Sequence, residues 1–240
     1  GFDVEIREAE AYPLQIQGPR ARDVVQALFG DEILNLKYYF FREAQVDGIP
    51  VIITRTGWTS EIGYEVYLLD RSRGTELWNK ILQAGAPYDI RATGPSDIRR
   101  IEGGIFNWGA DMTYENNPLE LGLERLVDFD MSGECLSLEA LRRIHDRGVE
   151  RRIVGIELDG APFPALNFTK WSAQVEGRQV GRVTSAIYSP RLKKNIGYCW
   201  LPTSLAVSGT TVHVASEWGW RTATVTPLPF VDPQKRIPVS

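Results

Sequence analysis

Thr54-Arg55-Thr56-Gly57-Trp58-Thr59-Ser60-Glu61-Ile62-Gly63-Tyr64-Glu65-Val66 lies between two runs of strand-like sequence. Ile49 to Thr54 leads into it and Tyr64 to Leu69 leads out, with a polar, glycine-containing loop between. Upstream, Tyr38 to Ala44 reads as a further strand, turned into Ile49–Thr54 through the hairpin dipeptide Asp47-Gly48. Tyr12 to Gln17 alternates weakly and reads as a fourth. Gly18-Pro19 then starts a helix whose apolar face is Val24, Val25, Leu28 and Phe29, ended by Gly30. Ser72 is placed to cap a second helix, with Leu77, Trp78, Ile81 and Leu82 at helical spacing and Gly85 as its stop. Helices mixed with strands in this way predict an α+β domain, with the helices packed against a sheet.

Gly94-Pro95-Ser96-Asp97 opens another helix, which carries Ile98, Arg99, Arg100 and Ile101 into Gly103-Gly104. A polar loop follows, with Asn107, Trp108, Gly109, Asp111, Tyr114 and Asn116. Asn117-Pro118-Leu119-Glu120 has the form of a capping box and predicts a helix with Leu121, Leu123, Leu126 and Val127 on its apolar side. Ser137 is placed to cap a last helix through Arg147, closed by Gly148. From Arg151 the period changes to two. Ile153 to Leu158, Val180 to Tyr188, Ile196 to Trp200, Thr211 to Ala215 and Arg221 to Val225 are the expected strands, and a small antiparallel β-barrel is their natural closure. The tail from Asp232 reads as a surface extension. The organisation expected is an α+β domain over residues 1–128, a connecting helix over 129–150 and a C-terminal β-barrel over 151–240. Charge divides at the same place, with 13 basic and 21 acidic side chains up to residue 128 and 14 and 10 beyond it.

The 240 residues are 43% hydrophobic and 24% charged, a globular balance with length for real cores. No run approaches the ~18 apolar residues of a membrane span. A net charge of -4 leaves no footprint of a general nucleic-acid binder. Two cysteines exclude a disulfide-built scaffold and fit a reducing, cytoplasmic compartment. The only histidines are His145 and His213, so no zinc pattern is present, and the phosphate-binding glycine loop and the Gly-x-Ser-x-Gly elbow are missing as well. His145 reads as a surface residue and Cys199 as core. The chain opens Gly-Phe-Asp-Val-Glu, without the basic start and apolar stretch of a signal peptide and without Met. That opening fits a processed chain, a trimmed one or a piece of a longer protein.

Four strings can carry chemistry, each beside a plainer reading. Arg55 to Glu65 holds two carboxylates four residues apart. A carboxylate accepts two parallel N–H bonds from a flat, amidine-like edge such as that of a pterin, and Trp58 and Tyr64 offer flat contact. The plainer reading is a tight connection whose Glu residues face water or pair with Arg55. Gly94 to Gly104 presents a helix N-terminus that can hold an anion, or is an ordinary helix with exposed arginines. Asn107 to Glu120 can line a substrate, or serve structurally through Asn116 and Asn117. Gly181 to Gly197 is a β-hairpin with a basic loop, which suits a carboxylated ligand or simply faces water.

Together and in this order, the strings resemble the glycine-cleavage T-protein (aminomethyltransferase) superfamily. Arg55 to Glu65 matches its Arg-Thr-Gly-Tyr-Thr-Gly-Glu-x-Gly-Phe-Glu string, and Gly94 to Gly104 its Gly-Ala-Arg-Asp-x-x-Arg-x-Glu-Ala-Gly string. Asn117 to Leu123 matches Asn-Pro-Leu-Glu-x-Gly-Leu. Val180 to Ser185 with Ser189 to Lys194 matches the barrel signature. Ser60 to Glu65 and Gly109 to Thr113 look closer to tetrahydrofolate-dependent demethylases, which take a methyl group from methylated sulfur compounds or methoxylated aromatic acids.

The resemblance implies tetrahydrofolate as cofactor, a small-molecule methyl donor and a one-carbon unit that ends on folate N5. It implies a one-carbon transferase, with a non-catalytic folate-binding module or the folate domain of a larger oxidase as alternatives. Glu61 and Glu65 are the matched pterin-holding positions, with Trp58 and Arg55 beside them. Tyr64, Asp111 and Arg99 are the catalytic candidates, and Tyr114 and Arg191 the substrate contacts. Ser96 departs from the family's Arg, which puts one ligand-contacting guanidinium in doubt. By the same comparison the family's N-terminal catalytic segment is expected to be missing. The chain would then be a fragment or one subunit of a split enzyme, completed by a separate N-terminal polypeptide or by homo-oligomerisation, and inactive alone.

Overall fold

The computed structural model describes residues 2–240. They form two compact units, one running to Ser96 and taking in Gln234–Ser240, the other comprising Asp97–Pro233.

The first unit is a four-stranded antiparallel sheet covered on one face by two helices. Its strands are β1 (Tyr12–Gln17), β2 (Phe41–Val46), β3 (Ile49–Thr54) and β4 (Gly63–Leu68), in the order β1-β4-β3-β2. Successive side chains point to opposite faces. One face therefore collects Ile16, Val46, Ile49, Val51, Ile53, Tyr64, Val66 and Leu68, all buried. Onto it pack α1 (Ala21–Phe29) through Val24 and Val25, and α2 (Gly74–Gly85) through Leu77 and Ile81. The β2–β3 turn has Asp47 at φ 48° and Gly48 at φ 76°, the left-handed pair that matches the twist of a hairpin. Two local expectations change. Tyr39 takes φ 67°, so β2 begins at Phe41 rather than Tyr38. Ser72 does not cap α2: its N–H donates to Asp70 Oδ1 at 3.0 Å in a short turn before the helix.

The second unit is a closed six-stranded antiparallel barrel. Its strands are β5 (Arg151–Leu158), β6 (Trp171–Val175), β7 (Arg178–Ser189), β8 (Lys194–Pro202), β9 (Thr211–Ser216) and β10 (Gly219–Thr226), in the order β10-β5-β8-β7-β6-β9. The interior is filled by residues such as Ile156, Val183, Cys199, Leu201, Val212 and Val225, with Phe163, Trp171 and Trp218 meeting ring to ring. β8 is covered on both faces. Cys199 and Leu201 look inward, while Ile196, Tyr198 and Trp200 look outward onto Ile101 of α3 (Asp97–Glu102), Leu121 and Ile153. The helix α4 (Leu138–Arg147) ends as expected at Gly148, φ 82°, whose N–H returns to Ile144 O.

Three expectations are corrected. Residues 117–127 do not form an α-helix. The capping box is present, with Asn117 Oδ1 accepting from the Leu119 and Glu120 amides and Glu120 Oε2 from the Asn117 amide. But the Glu120 carbonyl is taken by the Ile153 amide at 3.0 Å, and Gly122 is left-handed at φ 69°, so only a 3-10 turn, Glu124–Leu126, follows. The strand Trp171–Val175 was not expected, although Trp171-Ser172-Ala173-Gln174-Val175 alternates apolar and polar as a half-buried strand does. The tail is not a bare surface extension: Arg236–Val239 forms a helical turn, α5, and Pro238 is buried.

Candidate functional site

The face of the sheet turned away from α1 and α2 is polar. The strand register lines up Phe41, Thr54, Glu65 and Gln15 as one row across all four strands, with Glu43, Ile52, Tyr67 and Pro13 as the next. Glu65 is the charged centre of this face. Its Oε1 accepts from Gln15 Nε2 at 2.9 Å, and its Oε2 accepts from Thr56 Oγ1 and, at 3.4 Å, from Tyr67 Oη. Burial, and then the Glu65 charge and hydrogen bond, push the Tyr67 phenol above its usual value, so it stays a donor.

The loop between β3 and β4 is shaped by a side chain on β1. Gln17 Nε2 donates to the carbonyls of Thr56 and Tyr64, both at 3.3 Å, and Gln17 Oε1 accepts from Thr59 Oγ1 at 2.7 Å. The amide passes so close to Gly57 and Gly63 that a Cβ on either would lie 2.1 or 2.3 Å from Gln17 Oε1. A larger residue at either position could be seated only by displacing the Gln17 amide, and neither glycine has a positive φ. At the loop's exit the Gly18 amide donates to Ile62 O at 2.8 Å. Trp58 and Glu61 stand half-buried on this loop, and the Glu61 amide donates to Thr59 Oγ1 at 3.4 Å.

Arg55 and Tyr64 flank the loop on the buried side. The Arg55 guanidinium donates to the carbonyls of Leu36 and Ser240, and its Nε has no partner. Tyr64, next to Glu65 in sequence, points into the core by strand alternation. Its hydroxyl is buried without a partner, and burial raises its pKa.

The second unit carries the remaining candidates around α3. Asp111 is buried and takes four donors: Arg100 Nη1 (2.8 Å) and the Asn107 amide (2.8 Å) on Oδ2, Thr184 Oγ1 (2.7 Å) and Ser185 Oγ (2.6 Å) on Oδ1. That fills the acceptor capacity of a carboxylate. Arg100 also reaches Asp97 and Ser185 Oγ. Two residues on, at the end of α3, buried Glu102 gathers Arg99 (3.2 Å), Arg191 (3.8 Å) and Ser189 Oγ (2.6 Å). The structure thus brings Arg99 and Arg191 to one carboxylate. Tyr198 Oη lies 3.0 Å from Arg100 O and 3.1 Å from Ile101 O, at the carbonyl end of α3; its burial pushes that phenol well above the usual range. Tyr114 stands apart, fully exposed, its ring edge-on to Trp108 at 4.5 Å. Gln17, Glu102, Arg100 and Ser185 were not singled out from sequence. Among the described residues there is no His/Cys/Asp/Glu group able to hold a metal, and no helix is long and apolar enough to cross a membrane.

Comparison with known proteins agrees with this architecture. Residues 2–131 match the family model described as the GCVT N-terminal domain, and residues 151–232 that of the glycine cleavage T-protein C-terminal barrel domain. The chain is 34% identical over 225 residues to dimethylsulfoniopropionate demethylase DmdA of Ruegeria pomeroyi, covering 94% of this chain and 61% of that protein. It is 33% identical over 204 residues to an aminomethyltransferase of Caldanaerobacter subterraneus, covering 84% and 53%. The crystal structure of glycine cleavage system aminomethyltransferase T from Bartonella henselae superposes with a TM-score of 0.79 at 25% identity, covering 93% of this chain and 60% of that one. The chain thus spans a little over half to three fifths of these relatives.

One sequence expectation is overturned here. The family's N-terminal domain is not missing, because residues 2–131 match it. The absence of a catalytic N-terminal domain, the need for a separate N-terminal polypeptide and the inactivity deduced from that absence fall with it.

Proposed function

This chain belongs to the glycine cleavage T-protein family, and from that premise we propose that it works as a tetrahydrofolate-dependent one-carbon transferase. The observation that carries the reading is the polar sheet face, where Glu65 sits at the centre of a donor–acceptor row beside a loop bearing Glu61 and Trp58.

The donor set suits a pterin. Glu65 receives three protein donors, which leaves an acceptor position on the carboxylate. Glu61 adds a second carboxylate and Trp58 a flat apolar surface. These three residues would hold the ring, and when bound tetrahydrofolate supplies the nitrogen that accepts the one-carbon unit. The chain's own residues do the rest. Gln17 fixes the loop, so Glu61 and Trp58 are held in place before the ligand arrives. Gln15, Thr56 and Tyr67 keep the Glu65 carboxylate oriented. Asp111, with its acceptor positions filled, acts as a structural anchor for the Asn107–Asn116 loop and so for Tyr114, the candidate substrate contact.

Ser60 to Glu65 and Gly109 to Thr113, which look closer to the demethylases, favour a methyl donor over an aminomethyl donor, while identities of 34% to a dimethylsulfoniopropionate demethylase and 33% to an aminomethyltransferase do not separate the two. The test is a transfer assay on the purified chain with tetrahydrofolate, offering dimethylsulfoniopropionate, vanillate and syringate in parallel and following methyltetrahydrofolate. Turnover with one of them supports the reading. A second reading, a folate-binding module without chemistry, is favoured by the pairing of Asp111 and Glu102 with protein donors. Folate binding with no transfer from any donor would select it.

A further inference from the structure

Arg55 is the first residue after β3, and three segments of the first unit converge on it. Its amide donates to Phe40 O at 3.0 Å and its carbonyl accepts from the Tyr39 amide at 3.1 Å. Its guanidinium is buried, with Nη1 on Leu36 O at 3.3 Å and Nη2 on Ser240 O. The last of these acceptors comes from the tail, where Pro238 is buried and Ser240 is tied back to Ile237 O.

We infer that residues 234–240 act through Arg55 as a positioning element for the Thr56–Gly63 loop. The exit of that loop is held by the Gly18 amide and by the Gln17 clasp. Its entry is held where Arg55 is held. A buried guanidinium set against carbonyls is stable only while those carbonyls are there. Nε already lacks a partner. Loss of the tail would leave Nη2 without its acceptor, and the side chain would gain by swinging out to water. The backbone at position 55 would turn with it and loosen the entry of the loop that carries Trp58 and Glu61. Arg55 is on this view a positioning residue, one step removed from the ligand.

The consequence for ligand binding rests on the folate reading; the consequence for the loop does not. The test is amide hydrogen exchange on the full chain, on a chain ending at Pro233, and on Arg55→Met and Arg55→Lys, with tetrahydrofolate affinity measured beside it. Exchange across residues 56–63 is expected to rise about tenfold in the shortened chain and in Arg55→Met, and less in Arg55→Lys, which keeps a donor. Helix α2, in the same unit, should keep its protection, and folate affinity should fall in step with loop exchange. Unchanged loop exchange in the shortened chain would overturn the inference, as would an equal loss of protection in α2, which would mean general destabilisation of the unit. Should the unaltered chain bind no tetrahydrofolate, the folate reading fails, while the exchange result still decides the role of the tail.

Discussion

Arg100 Nη1 and Asp111 Oδ2 meet at 2.8 Å with both side chains almost wholly removed from solvent. Each also bonds to Ser185 Oγ, on strand β7. The pair therefore ties α3 and the loop after it to the barrel wall. Two buried charges in this geometry cost much to desolvate, so the pair does not by itself add stability, but breaking it leaves one charge uncompensated.

Asp111→Ala is therefore expected to destabilise the chain by about 3–5 kcal/mol. The double variant Arg100→Met/Asp111→Leu should cost less than the single one. Urea denaturation of the three proteins tests this, and a cost under about 1 kcal/mol for the single variant would mean the carboxylate is not buried as described.

The Gln17 clasp makes a second prediction. Gly63→Ala places a Cβ 2.3 Å from Gln17 Oε1, so the Gln17 amide must leave the Thr56 and Tyr64 carbonyls to make room. The cost should be about 1–3 kcal/mol, and Gln17→Ala in the same chain should return part of it. Additive costs in the double-mutant cycle would show that the two residues do not touch.

Titration gives a third. Burial pushes the Cys199 thiol up to about 12 from 9.0, and it pushes the Tyr198 phenol up in the same direction. Both groups are neutral when protonated, so the folded state holds its protons where the unfolded chain gives them up. The stability they contribute is fully present below about pH 9 and is lost as pH rises towards 12, by a few kcal/mol for Cys199. Denaturation midpoints should fall steadily above pH 9. In the native protein at pH 8 a thiol reagent should label Cys135, which is exposed and whose hydrogen bonds from Ser137 lower its pKa, and leave Cys199 untouched until unfolding. Equal labelling rates would contradict the burial of Cys199.

What could be read in advance was what depends on local pattern. The β2–β3 hairpin followed from alternation and Asp47-Gly48, and five of the barrel strands from period-two runs. The helix over 117–127 was misread because its capping box is real, while the competitor for the Glu120 carbonyl is an amide on β5. Gln17 was invisible for the same reason: its partners lie about forty residues on, in a loop that read only as polar and glycine-containing. Glu61 and Glu65 were legible as a pair, and so was their division between loop and strand, but not the donors that hold Glu65. Glu65 is pinned within a cross-strand row, and Glu61 rides on a loop. Arg99 and Arg191 stood out in the sequence as basic residues, whereas Glu102, which gathers both, did not.

The most direct measurement is titration calorimetry of tetrahydrofolate into the full chain and into Glu61→Gln and Glu65→Gln. The account predicts saturable binding by the unaltered chain and a loss of about 10–100-fold in affinity for each variant, the worth of a hydrogen bond to a charged acceptor. No binding by the unaltered chain, or binding that neither substitution weakens, would contradict it.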